Sequence, residues 1–399
     1  MKNLIKKLKV KRRQVIAILA RWHFYGNPSV KLKIVGVTGT NGKTTIATLL
    51  YKIATELGYK AGLIGTVENI IVDERRPALR TTPSPIPLNK LLSEMASKGC
   101  IYVFMEISSH AMDQKRVAGV NFVGGIFTNL THDHLDYHKS FENYFLAKKK
   151  FFQMLPKDAF ALSNADDEYG RKILENIKAK KYTYGFKNKA DFNERLETKL
   201  IGEFNAYNIL AIYGASILLG FDKERVREII KNLEPVTGRF ENVKGKNNIT
   251  GIVDFAHTPD ALEKVLKTIQ GINSAKDGPS QKGKIISVFG CGGDRDPLKR
   301  RIMGKIGASL SDIAIITSDN PRSEDPEKII FEMKVDLTMN DLKKVKTIAN
   351  RGEAIKEAVN LAQKGDTILI AGKGHEQYQE IKGVKYHFND MEELKKNLL

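Results

Sequence analysis

A chain of 399 residues with 42% hydrophobic side chains has room for two domains with real cores, which excludes wholesale disorder. Its two cysteines, Cys100 and Cys291, lie far apart and argue against a disulfide framework; no apolar run approaches the roughly 20 residues that cross a bilayer, so a reducing, cytoplasmic setting is expected. The net charge of +19 is spread along the whole length without an aromatic-basic module, so a solvated lysine surface and anionic small-molecule substrates are expected, not nucleic acid.

The first 22 residues, MKNLIKKLKVKRRQVIAILARW, have too short an apolar stretch (Val15–Ala20) for a secretion signal. A basic amphipathic helix resting on a membrane or on the protein is expected there, with packing on the protein favoured. Val35–Thr45, VGVTGTNGKTT, is the stretch on which the rest is organised. Ile34, Val35 and Val37 read as the end of a buried strand. Gly39 and Gly42 let the backbone turn close to a phosphate chain. Lys43 would neutralise the phosphates and the Thr44 hydroxyl would serve Mg²⁺. From Thr45 the pattern is helical, so the loop lies at a helix N-terminus, where anions are favoured. The spacing is not that of the common P-loop, because Val37 stands where that pattern has its first glycine.

AGLIGTVEN reads as a second strand-like run and Asp73–Arg80 as a charged loop. Pro83, Pro85 and Pro87 are expected to keep the entry extended to a helix from about Leu88. Thr81 and Thr82 before it are either helix-entry caps or hydroxyl donors to a substrate carboxylate. Ile101–Met105 is a buried strand with Glu106 at its carboxyl end, where an acid beside a phosphate loop suits Mg²⁺. Ser108, Ser109 and His110 lack the GxSxG elbow of a nucleophilic serine. VGGIFTNLTHDHLDYH repeats the design, and its strand end is expected beside Glu106. His132, His134 and His138 have neither cysteines nor an HExxH helix with them, so a place near Mg²⁺ and phosphate is favoured over zinc, with a structural role equally open for His132 and His138. SFENYFLAKKKFFQML is helical, with Lys148, Lys149 and Lys150 in a row that composition cannot tell apart. ALSNADD and KYTYGF continue a βαβ alternation with a parallel sheet. IGEFNAYNILAIYGASILLG reads as an amphipathic helix, in which Asn205 and Asn208 either cap or touch a nucleotide base.

A boundary is expected in EPVTGRFE, Glu234–Glu241. Beyond it GIVDFAHTPDALEKVL gives a strand, Asp254 and His257, then a helix. GINSAKDGPSQKGK is a surface loop. KIISVFGCGGDRD, DIAIITSDNPRSEDP and DTILIAGKGHEQYQ each give a strand ending in a polar or glycine-rich turn. The expected architecture is thus α/β throughout: a P-loop-containing parallel-sheet central domain, 34–234, after a basic segment, 1–33, and a Rossmann-like α/β domain, 235–399.

FYGNPS, GVTGTNGKTT, TTP, MEISSHAMDQKRV, TNLTHDHLDYH, YFLAK, GEFNAYN, VTGRFE, VDFAHTPDAL, VFGCGGDRD, TSDNPRSEDP and GKGHEQYQ occur in this order from Phe24 to Tyr378. Together they resemble the Mur ligase family, and within it the UDP-N-acetylmuramoyl-tripeptide synthetase, MurE-like, group. The resemblance implies an ATP- and Mg²⁺-dependent, ADP-forming ligase of peptidoglycan synthesis. Such an enzyme phosphorylates a substrate carboxylate to an acyl phosphate, which an amine then attacks. The resemblance also implies a monomer acting on small molecules.

By the same resemblance, Gly39, Thr40, Asn41, Gly42, Lys43, Thr44 and Thr45 hold the triphosphate, and Asn205, Arg239, Asp254 and His257 complete the ATP site. Thr44, Glu106 and His134 serve Mg²⁺, with Lys43, Glu106, His134 and Lys148 as the catalytic set. Lys148 matches the family's carbamylated lysine (N6-carboxylysine), an anionic group where a bare ammonium would be repelled by metal. Thr81, Thr82, Ser108, Gln114 and Arg116 match acceptor-binding positions. Arg295, the DNPR motif Asp319, Asn320, Pro321 and Arg322, together with Gly372 and Glu376, match an amino-acid pocket for meso-diaminopimelate. Arginine suits its distal carboxylate, which lysine lacks. Three departures stand out: only 1–33 precedes the first strand where the family has a UDP-gripping domain, the stretch from Phe186 to Gly202 is short, and Arg80 replaces a common asparagine. A related or folylpolyglutamate-type ligase with a non-UDP acceptor, and a basic nucleic-acid-dependent NTPase, are the alternatives.

Overall fold

The computed structural model describes Val15, residues 26–274 and residues 283–399. The expected N-terminal helix, Val15 apart, and 275–282 of the expected surface loop lie outside the described residues. The chain forms two compact units. One comprises Met1–Leu130, His138–Leu200 and Phe204–Glu234, the other Thr131–Tyr137, Ile201–Glu203 and Pro235–Leu399.

The strands of the first unit are β1 (Lys33–Thr38), β2 (Ala61–Ile64), β3 (Glu68–Ile71), β4 (Glu74–Pro77), β5 (Tyr102–Glu106), β6 (Gly124–Phe127), β7 (Phe160–Asn164) and β8 (Lys180–Tyr184). They pair in the order β4-β3-β2-β5-β1-β6-β7-β8. β2, β5, β1, β6, β7 and β8 run parallel. β5, β6 and β7 are buried along their whole length and β1 from Ile34 on, as expected of strands covered on both faces. The helix Lys43–Glu56 covers the sheet with Ile46, Leu49, Leu50 and Ile53, all fully buried. Each such side chain stabilises by about 1.5–3 kcal/mol, which anchors the loop that precedes the helix.

AGLIGTVEN is not one strand: the chain reverses after Ile64, and β3 pairs antiparallel with β2. The charged stretch Asp73–Arg80 contains the edge strand β4, whose Arg and Glu side chains suit a solvated edge. The next helix spans Pro85–Ser97, so Pro85 and Pro87 lie in its first turn, where a missing N–H costs nothing. The end of β6 is not beside Glu106, because β1 lies between β5 and β6. The helix Glu203–Leu218 is not amphipathic: Asn208 to Ser216 are buried without a break.

The second unit holds β9 (Glu241–Lys244), β10 (Thr250–Asp254), β11 (Ile285–Phe289), β12 (Ile313–Ile316), β13 (Val345–Thr347) and β14 (Thr367–Ala371), paired in the order β13-β12-β11-β14-β10-β9. All are parallel except β9, which opens the unit ahead of the strand expected to do so. Val253, Ile286, Val288, Ile315, Ile368 and Ile370 meet Ala354, Ile355, Leu394 and Leu398 in the core. A separate hairpin follows, β15 (Tyr378–Ile381) with β16 (Val384–His387).

Candidate active site

In the first unit the tips of β5, β1 and β6 converge on the turn Gly39–Gly42. Gly39 has φ +151°, and a Cβ there would lie 1.8 Å from Thr128 Oγ1, so no other residue fits. Asn129 shapes the turn: its carbonyl and Oδ1 accept from Thr40 N and Asn41 N, both at 2.9 Å. Thr128 Oγ1 donates to the Asn41 carbonyl at 2.6 Å. Gly42, in the left-handed region, is the N-cap of the helix Lys43–Glu56 and supplies no capping side chain, which leaves the helix start open to an anion. Lys43 Nζ folds back to the carbonyls of Gly39 (3.0 Å) and Thr40 (2.7 Å). Asn205 and Asn208 are bonded to each other at 3.2 Å, and a Cβ on Gly42 would come within 2.5 Å of Asn208 Oδ1. The pair therefore borders the turn.

Glu106 is buried at the end of β5. Its Oε2 accepts from Thr44 Oγ1 (3.0 Å) and Thr66 Oγ1 (2.9 Å), and its Oε1 from Thr66 N (2.7 Å). This hydroxyl–carboxylate pair beside the turn is a set of hard oxygen donors, which fits Mg²⁺. Among the described residues no group of three or more His, Cys, Asp and Glu is arranged to hold a metal. The structure also separates the three lysines. Lys148 is buried, with Nζ 2.6 Å from the Gly39 carbonyl and 4.5 Å from the centre of the Tyr144 ring; the Tyr144 hydroxyl is 3.1 Å from Thr40 Oγ1. Lys149 turns to the Lys172 carbonyl and Lys150 is exposed.

The acceptor-position residues form a patch continuous with Glu106. Thr82 Oγ1 donates to the Glu106 carbonyl at 2.8 Å and accepts from Ser108 N at 3.0 Å, so it ties two loops together and does not cap the helix after it. Arg116 Nη1 donates to the Thr82 carbonyl, while its Nε and Nη2 hold Gln114 Oε1. Thr81 Oγ1 lies 3.1 Å from Thr66 Oγ1 and donates to it, since the Thr66 proton goes to Glu106. Thr45 is buried in the first helical turn. His138 is bonded to Ser109 Oγ at 3.0 Å inside this unit.

His134 falls in the segment Thr131–Tyr137, which belongs to the second unit. There its Nε2 is 3.4 Å from Asp133 Oδ2, and His132 Nε2 is 2.8 Å from Asp296 Oδ2. Burial would raise the pKa of Asp133, but His134, Lys299 and His257 together hold its carboxyl well below the usual range. Asp254 ends β10, accepts from Phe240 N at 2.7 Å and is pushed up to about 6 by burial, against the pull of Arg239. The Arg239 guanidinium lies 4.4 Å from the centre of the Phe255 ring. His257 Nδ1 donates to the Phe255 carbonyl at 2.8 Å; burial and the neighbouring Lys299 ammonium lower its pKa and keep the ring neutral.

The loops after β11, β12 and β14 build the remaining cluster. Arg295 and Arg322 flank Gly292, whose Cβ would lie 2.8 Å from Arg322 Nη1 and 3.8 Å from Arg295 Cγ. Arg322, with φ +53°, follows Pro321 and donates from Nη1 to the Gly293 carbonyl at 2.6 Å. Asn320 Nδ2 donates to Glu376 Oε2 at 2.8 Å. Asp319 is buried and passes close to the backbone of Gly372; burial would raise its pKa, but Lys373 and Arg351 lower it. Sequence reasoning passed over Thr66, Tyr144, Asp133, Lys299 and Lys373. Each acts on a partner far away in the chain, and none carries a motif of its own that marks the role.

The profile of the Mur ligase middle domain matches residues 37–216, and that of the Mur ligase glutamate ligase domain matches residues 238–374. The UDP-N-acetylmuramoyl-L-alanyl-D-glutamate–2,6-diaminopimelate ligase of Bacteroides thetaiotaomicron is 53% identical over 389 residues, which are 93% of this chain and 80% of that protein. The ligase of the same name, numbered 1, of Clostridium acetobutylicum is 42% identical over 403 residues, 95% of this chain and 80% of that one. A solved structure of a ligase of that name superposes with a TM-score of 0.62 at 32% identity, covering 95% of this chain and 82% of that one. The folylpolyglutamate synthase of Mycobacterium tuberculosis, with TM-score 0.69 at 15% identity over 93% of this chain and 95% of that one, shares the fold. Among the described residues no helix is long and apolar enough to cross a membrane.

Proposed function

The chain belongs to the Mur ligase family, and from that premise we propose that it joins meso-diaminopimelate to the D-glutamate of UDP-N-acetylmuramoyl-L-alanyl-D-glutamate, with ATP converted to ADP and phosphate. The observation that carries the reading is the convergence of Thr44, Glu106 and Lys148 on the Gly39–Gly42 turn.

The chemistry follows from the groups described. The turn and the helix start bind the triphosphate, and Lys43 sits where its ammonium meets phosphate oxygens. Thr44, Glu106 and His134 would hold Mg²⁺, which would supply neutralising charge to the transferred phosphoryl group. Lys148, as its carbamate, presents an oxygen anion in place of an ammonium. Asn205, Arg239, Asp254 and His257 hold the nucleoside end. Thr81, Thr82, Ser108, Gln114 and Arg116 orient the acceptor so that its carboxylate attacks the γ-phosphorus. The acyl phosphate formed is then attacked by the amine of the amino acid, and phosphate leaves. Arg295 and Arg322 pair with the distal carboxylate of that amino acid, and Asp319, Asn320, Gly372 and Glu376 surround its distal amine. Lysine would leave an arginine unpaired there. On this reading residues 34–234 bind ATP and acceptor, and 235–399 bind the amino acid.

A turnover assay tests this. It offers ATP and Mg²⁺ with UDP-linked or UDP-free muramoyl-dipeptide and with meso-diaminopimelate or lysine. ADP is expected only when acceptor and diaminopimelate are both present, with the UDP-linked acceptor used. Preference for lysine would overturn the amino-acid assignment, use of the UDP-free acceptor alone the carrier, and ADP release stimulated by DNA or RNA the whole reading.

A further inference from the structure

Lys373 lies between two residues assigned to the amino-acid pocket, yet its own side chain is 0% exposed, while that of Glu376 is 21% exposed. It therefore reaches a bound amino acid only through its neighbours. Its Nζ donates to Glu376 Oε2 at 2.8 Å and to Asn320 Oδ1 at 3.3 Å. An ammonium has three donors and no acceptor, so the face of the Asn320 amide turned to it must be the oxygen. That orientation sends Asn320 Nδ2 to Glu376 Oε2 at 2.8 Å and lets Oδ1 also accept from Glu380 N at 2.8 Å. The DNPR loop, the loop after β14 and the hairpin are thus locked together by one buried cation.

Both bonds to Glu376 end on Oε2. The carboxylate is held through one oxygen, and Oε1 remains to meet a cation arriving from the exposed side. Glutamate is rich in rotamers, and an unclamped one would sample several directions, among them the two arginines beside Gly292. Burying an ammonium is costly unless it is paired, and Glu376 and Asn320 supply that pairing.

We propose that Lys373 is a positioning residue for the amino-acid pocket: by clamping Glu376 Oε2 and fixing the Asn320 amide, it aims Glu376 Oε1 at the distal ammonium of the diamino acid. This rests on the functional reading above. Asn320 then acts as part of the clamp, through Glu376, and the preference for an amine beside the distal carboxylate depends on a group that touches no substrate.

The test is a double-mutant cycle with full-length K373M, E376Q and the double variant, read as KM for meso-diaminopimelate, ATP and acceptor separately. K373M is expected to raise the KM for diaminopimelate by about tenfold or more, leaving the other two within about twofold. In the E376Q background the same change is expected to add less than about twofold, because its target is gone. Independent, multiplying effects, or a parallel rise of all three KM values, would overturn the proposal. Should K373M not fold, N320D keeps Lys373 paired but places a second carboxylate against Glu376. It is expected to raise the same KM selectively, and its failure to do so also overturns the proposal. A wild-type enzyme that adds no diamino acid takes down the functional reading itself, whereas a competent wild type with an unaffected K373M takes down only the role of Lys373.

Discussion

Lys148 Nζ and the carbonyl oxygen of Gly39, 109 residues apart in the chain, lie 2.6 Å from each other in a buried contact. An ammonium donates to that carbonyl, but a carbamate oxygen would be repelled by it. A carbamate keeps one Nζ–H, so carbamylation is compatible with the bond to Gly39 provided that the two carbamate oxygens point away from that carbonyl. In protein equilibrated with ¹³C-bicarbonate, one carbamate carbon resonance is expected, absent from K148R. Activity of the wild type is expected to fall on exhaustive removal of CO₂ and return with bicarbonate, while K148A loses about 100-fold or more under both conditions. A wild type indifferent to CO₂ and lacking the resonance would show that Lys148 works as an amine.

Thr66 holds both oxygens of Glu106, one through its hydroxyl and one through its backbone N–H. T66V keeps the second bond and removes the first, so the carboxylate loses part of its orientation without leaving the site. The Mg²⁺ concentration for half-maximal activity is expected to rise about tenfold, and E106Q to raise it further, with little change in KM for the amino acid. An unchanged Mg²⁺ requirement in T66V would mean that the backbone bond alone fixes Glu106.

What the sequence made legible, and what it hid, follows from the range of the interactions. The turn after β1, Glu106 at the end of β5 and the DNPR turn are local signatures, because a strand end and the residues just beyond it are contiguous in the chain. Composition alone could not tell Lys148 from Lys149 and Lys150, and only the family resemblance singled it out, since the choice depends on how the helix is rotated, and that is set by Phe151 and Phe152 packing beneath it. Thr66 and Tyr144 carry no motif of their own; each matters through a partner 40 or 104 residues away. The placement of β6 across β1 from β5 is a property of sheet order, which periodicity does not encode. The buried stretch of the helix Glu203–Leu218 was misread because its leading polar residues suggested a solvated face, although Asn205 and Asn208 are themselves buried.

Arg322 donates to the Gly293 carbonyl, so one arm of its guanidinium is fixed before any ligand arrives. The planar fork keeps further donors for a carboxylate in a set direction, which a lysine ammonium could not do. R322K is expected to raise the KM for meso-diaminopimelate by roughly 100-fold and to leave the weak use of lysine nearly unchanged, narrowing the ratio between the two. Equal losses with both amino acids would assign Arg322 to the loop's stability, not to recognition of the distal carboxylate.

Asp254 makes a prediction for stability against pH. Burial raises its carboxyl from 3.8 to about 6. Below pH 4 the group is protonated in the folded and unfolded chains alike. Between about 4 and 6 the unfolded chain loses the proton and the folded one keeps it, so the contribution of this group falls as pH rises through the folded value and is constant above it. With 1.36 kcal/mol per unit, the loss is on the order of 3 kcal/mol by pH 7. D254N cannot titrate and retains the neutral form. Its stability in urea, relative to wild type, is therefore expected to improve steadily from pH 4 to pH 7 and then level off. A difference between the two proteins that does not change with pH would place the Asp254 carboxylate in a setting that stabilises its charge as well as water does.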